Sequence, residues 1–189
     1  MTLPLVVAMT GASGVVYGVE LLKALRDLQT PAHLIISESA GRNLAIETDY
    51  GLDEVRELAE VVYPNKDIAA APASGSFLTR GMIVAPCSIK TLSAIANSYN
   101  ANLISRAADV TLKERRPLVL MVRETPLHKG HLELMSRAYD LGATILPPMP
   151  AFYHEPKTIQ DIIHQSVGRT LDQFGIEHDL FRRWTGDPG

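Results

Sequence analysis

The 189-residue sequence predicts an α/β fold of three layers, αβα, built on a parallel sheet in a single domain covering 1–189. Three observations point there. Short continuous apolar runs recur along the chain, the pattern of strands buried on both faces. Segments of helical periodicity separate them, as crossovers between parallel strands require. Each run is followed by glycine, serine, threonine, arginine or proline, which gathers these residues at the carboxyl edge of one sheet, where such folds bind ligands.

In order, LPLVVAMT (3–10) is a first strand, GASGVVYG a turn and VVYGVELLKALRDL a helix. AHLIIS (32–37) is the second strand. ESAGRNLAIET and LDEVRELAEVV both carry helical spacing, and AAAPASGSF (69–77) is a small, polar surface loop. GMIVAP (81–86) is the third strand, SIKTLSAIANS opens a helix, and LISRAADVTLKERR is another. PLVLMV (117–122) is the fourth strand, HLELMSRAYDLG a helix ending at Gly142, and ATILPP (143–148) the fifth strand. A long amphipathic helix, TIQDIIHQSVGRTLDQF (158–174), precedes a polar tail of about 176–189 that holds the single tryptophan.

Composition excludes several classes. A hydrophobic content of 46% supports one substantial core. A net charge of −3 and a pI of about 6.1 leave no basic field for nucleic acid. One cysteine, Cys87, rules out an intrachain disulfide and fits a reducing, cytoplasmic setting. The N-terminal apolar run has no basic segment before it and reads as a strand, not a signal peptide. No run approaches the roughly 18 apolar residues of a membrane span.

The polar clusters carry the chemistry. Gly11 and Gly14 permit a tight turn, and Ser13 can cap the next helix or donate to a phosphate at its amino end. Ser13 replaces the second glycine of G-x-G-x-x-G, and Val15 the last glycine of G-x-S-x-G, so neither a dinucleotide fingerprint nor a hydrolase elbow is present. Ser37 follows the second strand. Ser88, Ile89, Lys90 and Thr91 open a helix, as caps or as donors to a ligand. Cys87 reads as a small core residue. Arg106 and Lys113 are seven apart and share a helical face, while Arg115 and Arg116 suit the negative end of that helix. Arg123 and Glu124 leave the fourth strand at the ligand edge, where a carboxylate beside cations suits proton transfer. His128 and His131 form the single close histidine pair and lack a third ligand, so no metal is expected. Tyr153 and Arg169, each taken alone, are surface residues.

Together these segments resemble the UbiX-type flavin prenyltransferases. The matching pieces are GASG (11–14), APCSIKTLS (85–93), RAADVTLKERRPLVLMVRETPLH (106–128), PPMPAFY (147–153) and RTLDQF (169–174). The resemblance implies a flavodoxin/Rossmann-like sheet. It implies an enzyme that joins the dimethylallyl group of dimethylallyl monophosphate to reduced FMN, at N5 and then C6. The prenylated FMN would serve a UbiD-type decarboxylase in ubiquinone synthesis or aromatic acid breakdown. A homo-dodecamer with each flavin near a subunit junction is implied too. By the same resemblance, Gly11, Ala12, Ser13, Ser37, Ser88, Ile89, Lys90, Thr91 and Arg123 would hold FMN. Tyr153 and Arg169, with Lys113 and Arg106, would bind the prenyl phosphate. Glu47 and Glu124 would shape the site and move protons, and Trp184 would close it.

This reading accounts for six of the eighteen Lys and Arg residues falling between 106 and 129. The cations flanking PLVLMV would face two phosphates, on the flavin and on the leaving group, and stabilise charge that develops as the allylic phosphate departs. Glu124 could take the proton lost from C6 or protonate the phosphate. Two other readings share the fold: an FMN-dependent decarboxylase of the cysteine-decarboxylase type, and a non-catalytic flavin carrier. A nicotinamide enzyme, suggested by Glu38 after the second strand, is disfavoured by Ser13.

Overall fold

The computed structural model describes residues 2–186. In chain order it contains β1 (Leu5–Met9), α1 (Val15–Asp27), β2 (Ala32–Ile36), α2 (Glu38–Glu47), α3 (Leu52–Arg56) and β3 (Val61–Pro64). A 3-10 turn at Ala71–Ala73 leads to β4 (Gly81–Cys87), α4 (Ile89–Ala96), α5 (Leu103–Lys113), β5 (Leu118–Val122), α6 (Lys129–Asp140), β6 (Ala143–Ile145) and α7 (Ile159–Asp172). The strands pair in parallel in the order β3-β2-β1-β4-β5-β6. The direction of winding reverses between β1 and β4, and a crevice opens there beyond their carboxyl ends.

Every residue of β1, β4 and β5 is buried. Their side chains alternate between two cores, as the two-residue repeat of a strand dictates. Leu5, Val7 and Met9 pack with Ile83, Val119 and Met121 beneath α1, α2 and α7. Val6 and Ala8 pack with Met82, Val84, Leu118 and Leu120 beneath α4, α5 and α6. Among the described residues no helix is long and apolar enough to cross a membrane.

Gly18 sets how closely α1 lies on the sheet. A Cβ there would stand 2.5 Å from the Ala85 carbonyl oxygen and 2.9 Å from Met9 Cε. Alanine in a helix interior ordinarily gains about 1 kcal/mol over glycine. Gly18→Ala is instead expected to lower stability by about 1–3 kcal/mol, because the helix must lift off β1 and β4. Urea unfolding followed by far-UV circular dichroism checks this, and a higher midpoint would refute it.

The sequence predicts five strands, and the described residues form six. LDEVRELAEVV was expected to be one helix; it is α3 followed by the edge strand β3. The helix stops in turns closed by Leu58 N to Val55 O and Ala59 N to Arg56 O. Glu60 N then bonds Ala32 O, and Val61, Val62 and Tyr63 pair with His33, Leu34 and Ile35. The open edge of β2 outcompetes a local helical spacing because these β-branched and aromatic side chains fit a pleated surface. Pro64 then ends a strand with no neighbour on its outer side among the described residues.

Candidate active site

Hydrogen bonds through the Thr10 side chain and the backbone hold the carboxyl edge together. Thr10 Oγ1 donates to Pro86 O at 2.8 Å and accepts from Ser88 N at 2.8 Å, tying the β1 turn to the end of β4. Ser37 N bonds Met9 O at 3.0 Å, and Arg123 N bonds Cys87 O at 3.1 Å. Ser37 Oγ caps α2 by accepting from Ala40 N, and Ser88 Oγ caps α4 by accepting from Thr91 N. Gly11, Ala12, Ser13, Ser37, Ser88, Ile89, Lys90, Thr91, Arg123 and Glu124 all follow strands at this edge. A Cβ on Gly11 would lie 2.4 Å from Ser39 Cβ, so glycine is what lets the turn touch the first turn of α2.

Ser13 was offered as a helix cap, and the structure assigns capping elsewhere. Gly14 is the N-cap of α1, at φ 96°, with no cap from its own neighbourhood. Glu47, the last residue of α2, supplies the acceptor: its Oε2 takes Gly14 N at 2.7 Å and Val15 N at 3.3 Å. A carboxylate is favoured there by the helix dipole. Asn43 Nδ2 donates to Ala12 O at 3.1 Å from the same helix. Ser13 and Glu47 line a cavity of about 490 Å³ with Tyr17, Arg123, Pro148 and Ile163. Tyr17 escaped the sequence reading because an aromatic inside an amphipathic helix reads as core. Its place one turn beyond Gly14 was the available signal. Burial pushes its phenol up, and the nearby Arg123 partly opposes this. Glu124 is exposed, and its Oε1 accepts from Thr125 N. Lys90 and Thr91 line a different cavity, of about 590 Å³, with Asn97, Tyr99, Asn102 and Ser105.

Tyr153, Arg169 and Trp184 come together apart from Ser13. With Gln165 they line a cavity of about 510 Å³. The Tyr153 and Trp184 rings meet edge-on, with centroids 6.2 Å apart. Arg169 stands about 15 Å along α7 from Ile159, which borders the first cavity. Asp172 accepts from Arg169, Arg183 and His178. Burial alone would raise the Asp172 carboxyl, but the bond and charge of Arg183, with the hydrogen bond from His178, hold it below the usual range.

Arg106 and Lys113 join neither group within one chain. Leu103 N bonds Asn65 O, just past β3, so α5 starts at the carboxyl edge and runs back to the start of β5. Lys113 therefore stands at the amino edge of the sheet, about 15 Å along α5. It pairs with Glu114, whose carboxyl it holds below the usual range. Arg106 donates to Ala73 O at 3.2 Å and Asp109 at 3.0 Å. Arg116, read as a helix-end cation, donates to Gly75 O and Phe77 O at 2.7 Å each and so straps down the loop after β3. Cys87 is fully buried and its thiol is pushed up to about 12, which leaves no thiolate at neutral pH and agrees with a core role. Among the described residues, no group of three or more His, Cys, Asp or Glu is placed to hold a metal.

A glycine turn and two serine-capped helices, at the point where strand order reverses, define a mononucleotide-binding α/β protein. The sequence matches the family described as Flavoprotein over residues 2–170. It is 58% identical over 183 residues to a flavin prenyltransferase UbiX of Thauera aromatica, covering 97% of this chain and 94% of that protein. It superposes on AnUbiX in complex with FMN and dimethylallyl pyrophosphate with a TM-score of 0.97 and 50% identity, over 98% and 99% of the two chains. A dodecameric FMN-dependent UbiX-like decarboxylase from Escherichia coli O157:H7 gives a TM-score of 0.95 and 49% identity, over 97% and 100%. The protein belongs to the flavoprotein family and, within it, to the UbiX flavin prenyltransferases.

Proposed function

We propose that the protein transfers the dimethylallyl group of dimethylallyl monophosphate to reduced FMN, at N5 and then C6, and hands prenylated FMN to a UbiD-type decarboxylase. The observation that carries this is a pair of cavities lined by residues to which the resemblance assigns roles: Ser13, Glu47 and Arg123 in one, Tyr153, Arg169 and Trp184 in the other. Reduced FMN supplies the nucleophilic nitrogen and carbon. Glu47 already occupies the amino end of α1, which leaves those of α2 and α4, with Ser37, Ser88 and Lys90, for the flavin phosphate. Transfer breaks the allylic C–O bond, releases phosphate and bonds the freed carbon to N5, whose proton is lost; protonation of the remaining double bond then lets its tertiary carbon bond to C6, whose proton is lost in turn, so that one net proton leaves with the phosphate. Tyr153, Arg169, Arg106 and Lys113 hold the leaving phosphate and stabilise its growing charge. Glu47 or Glu124 receives the proton.

Because one chain sets Lys113 at the edge opposite Ser13, a neighbouring subunit brings Lys113 and Arg106 to the site. The dodecameric UbiX-like neighbour supports an assembly of this kind. Decarboxylation is the second reading, favoured by the name that neighbour carries. Anaerobic incubation with reduced FMN and dimethylallyl monophosphate, then mass spectrometry of the released flavin, separates the two. Addition of one five-carbon unit, dependent on the prenyl phosphate, is expected. An unchanged flavin from folded, FMN-loaded protein would refute transfer, and carbon dioxide released from a carboxylate substrate would establish the alternative. A parallel incubation with the pyrophosphate fixes which donor is used.

A further inference from the structure

Asp172, the last residue of α7, organises the wall of the Tyr153–Arg169–Trp184 cavity. Its Oδ2 accepts from Arg169 at 3.0 Å and Arg183 at 3.1 Å, and its Oδ1 accepts from Arg183 at 2.7 Å. His178 Nε2 lies 3.2 Å from Oδ1 and 2.9 Å from Gly168 O. Leu180 N donates to Nδ1 of that ring, so the hydrogen-bond network assigns its proton to Nε2. The His178 side chain is 1% exposed and that of Asp172 16%, whereas both guanidinium side chains are half exposed. Gly168 makes this packing possible: a Cβ there would stand 2.6 Å from both His178 Cε1 and Phe181 Cε1. The chain beyond α7 is thus folded back onto the helix and delivers Trp184 to Tyr153.

We propose that Asp172 is a positioning residue for the donor site: its carboxylate fixes the Arg169 guanidinium and, through Arg183, holds Trp184 beside Tyr153. Two guanidinium groups against one carboxylate leave net positive charge at the cavity wall, which suits a phosphate. Fixing flexible arginines before the ligand arrives lowers the ordering cost of binding. This rests on reading Arg169 as a prenyl phosphate ligand, and the test separates the two claims.

With reduced FMN saturating, Asp172→Asn is expected to raise KM for dimethylallyl monophosphate about tenfold, with a smaller change in kcat and FMN affinity within about twofold. The emission of Trp184, the single tryptophan, should shift in the same variant. Asp172→Glu should recover part of the KM. A structural role alone would lower FMN binding and thermal stability together without singling out the donor KM, and that result overturns the proposal. So does an unchanged KM in Asp172→Asn when Arg169→Ala raises it. An unchanged KM in Arg169→Ala overturns the reading of Arg169 and this proposal with it. Should Asp172→Asn not fold, Arg183→Gln keeps the Asp172–Arg169 and His178 contacts and frees the tail. There a shifted Trp184 emission with a raised donor KM supports the proposal, and unchanged values refute it.

Discussion

Two inactive variants, Lys113→Ala and Glu47→Gln, are expected to regain activity when mixed within one assembly. Lys113 lies at the amino edge of the sheet and Glu47 at the carboxyl edge, so no single chain presents both to one ligand. Loss of one preorganised cation from a departing phosphate costs about a hundredfold to a thousandfold in turnover. Lys113→Ala should show that loss and still bind FMN, because Lys113 shares no contact with Ser37, Ser88 or the Gly11 turn. If each site takes its flavin edge from one subunit and Lys113 from another, half of the copies are intact at each position in an equal mixture. About a quarter of the sites then hold both groups, and co-expressed variants should recover about that share of wild-type turnover. Mixed assemblies as inactive as either parent would show that Lys113 acts in its own chain or not at all. The Lys113–Glu114 pair adds a second check. Glu114→Gln frees the ammonium, so it should not reduce turnover if the phosphate is the functional partner.

The parts of the fold that were legible are those where local and tertiary demands agree. β1, β4 and β5 are apolar throughout and end in glycine, serine or arginine, because they are covered on both faces and open onto one crevice. β3 was not legible: its Val-Val-Tyr continues the spacing of α3, and only the unpaired edge of β2 decides for a strand. The site shows the same division. Ser37 and Ser88 sit where helix starts in the sequence place them. Ser13 does not cap α1, because its rival lies 34 positions away in sequence and no spacing rule reaches that far. Arg106 and Lys113 do share a face toward the loop of Ala73 and Gly75. Which edge of the sheet Lys113 reaches follows from topology, since a helix that feeds β5 must end where β5 begins. Asp172 was half legible: its i,i+3 spacing from Arg169 falls within RTLDQF, but its partners His178 and Arg183 lie in a tail without periodicity.

Glu47→Gln is expected to separate a capping role from a chemical one. The carboxylate sits on two amide hydrogens of α1 and borders the cavity of Ser13, Tyr17 and Arg123. Glutamine keeps one acceptor oxygen of the same reach and loses the charge. A cap alone would therefore cost at most about 1 kcal/mol of stability, the usual worth of an anion at a helix amino end, with turnover nearly intact. A proton acceptor cannot be replaced in this way, because an amide does not take a proton at neutral pH. General-base loss lowers turnover by about a hundredfold to ten-thousandfold. The expected result is the second, with FMN affinity unchanged or higher, since Glu47 makes none of the contacts proposed for the flavin phosphate and its loss removes a negative charge from the carboxyl edge. Single-turnover assays under anaerobic conditions, with the flavin products resolved by mass, also locate the failure. Flavin joined at N5 alone would build up if Glu47 takes the C6 proton, whereas unreacted flavin would place its role before the first bond. Glu124→Gln, run beside it, assigns the proton to one carboxylate: Glu124 is exposed and among the described residues bonds only its neighbour's amide, so its loss should leave the fold untouched and report chemistry alone.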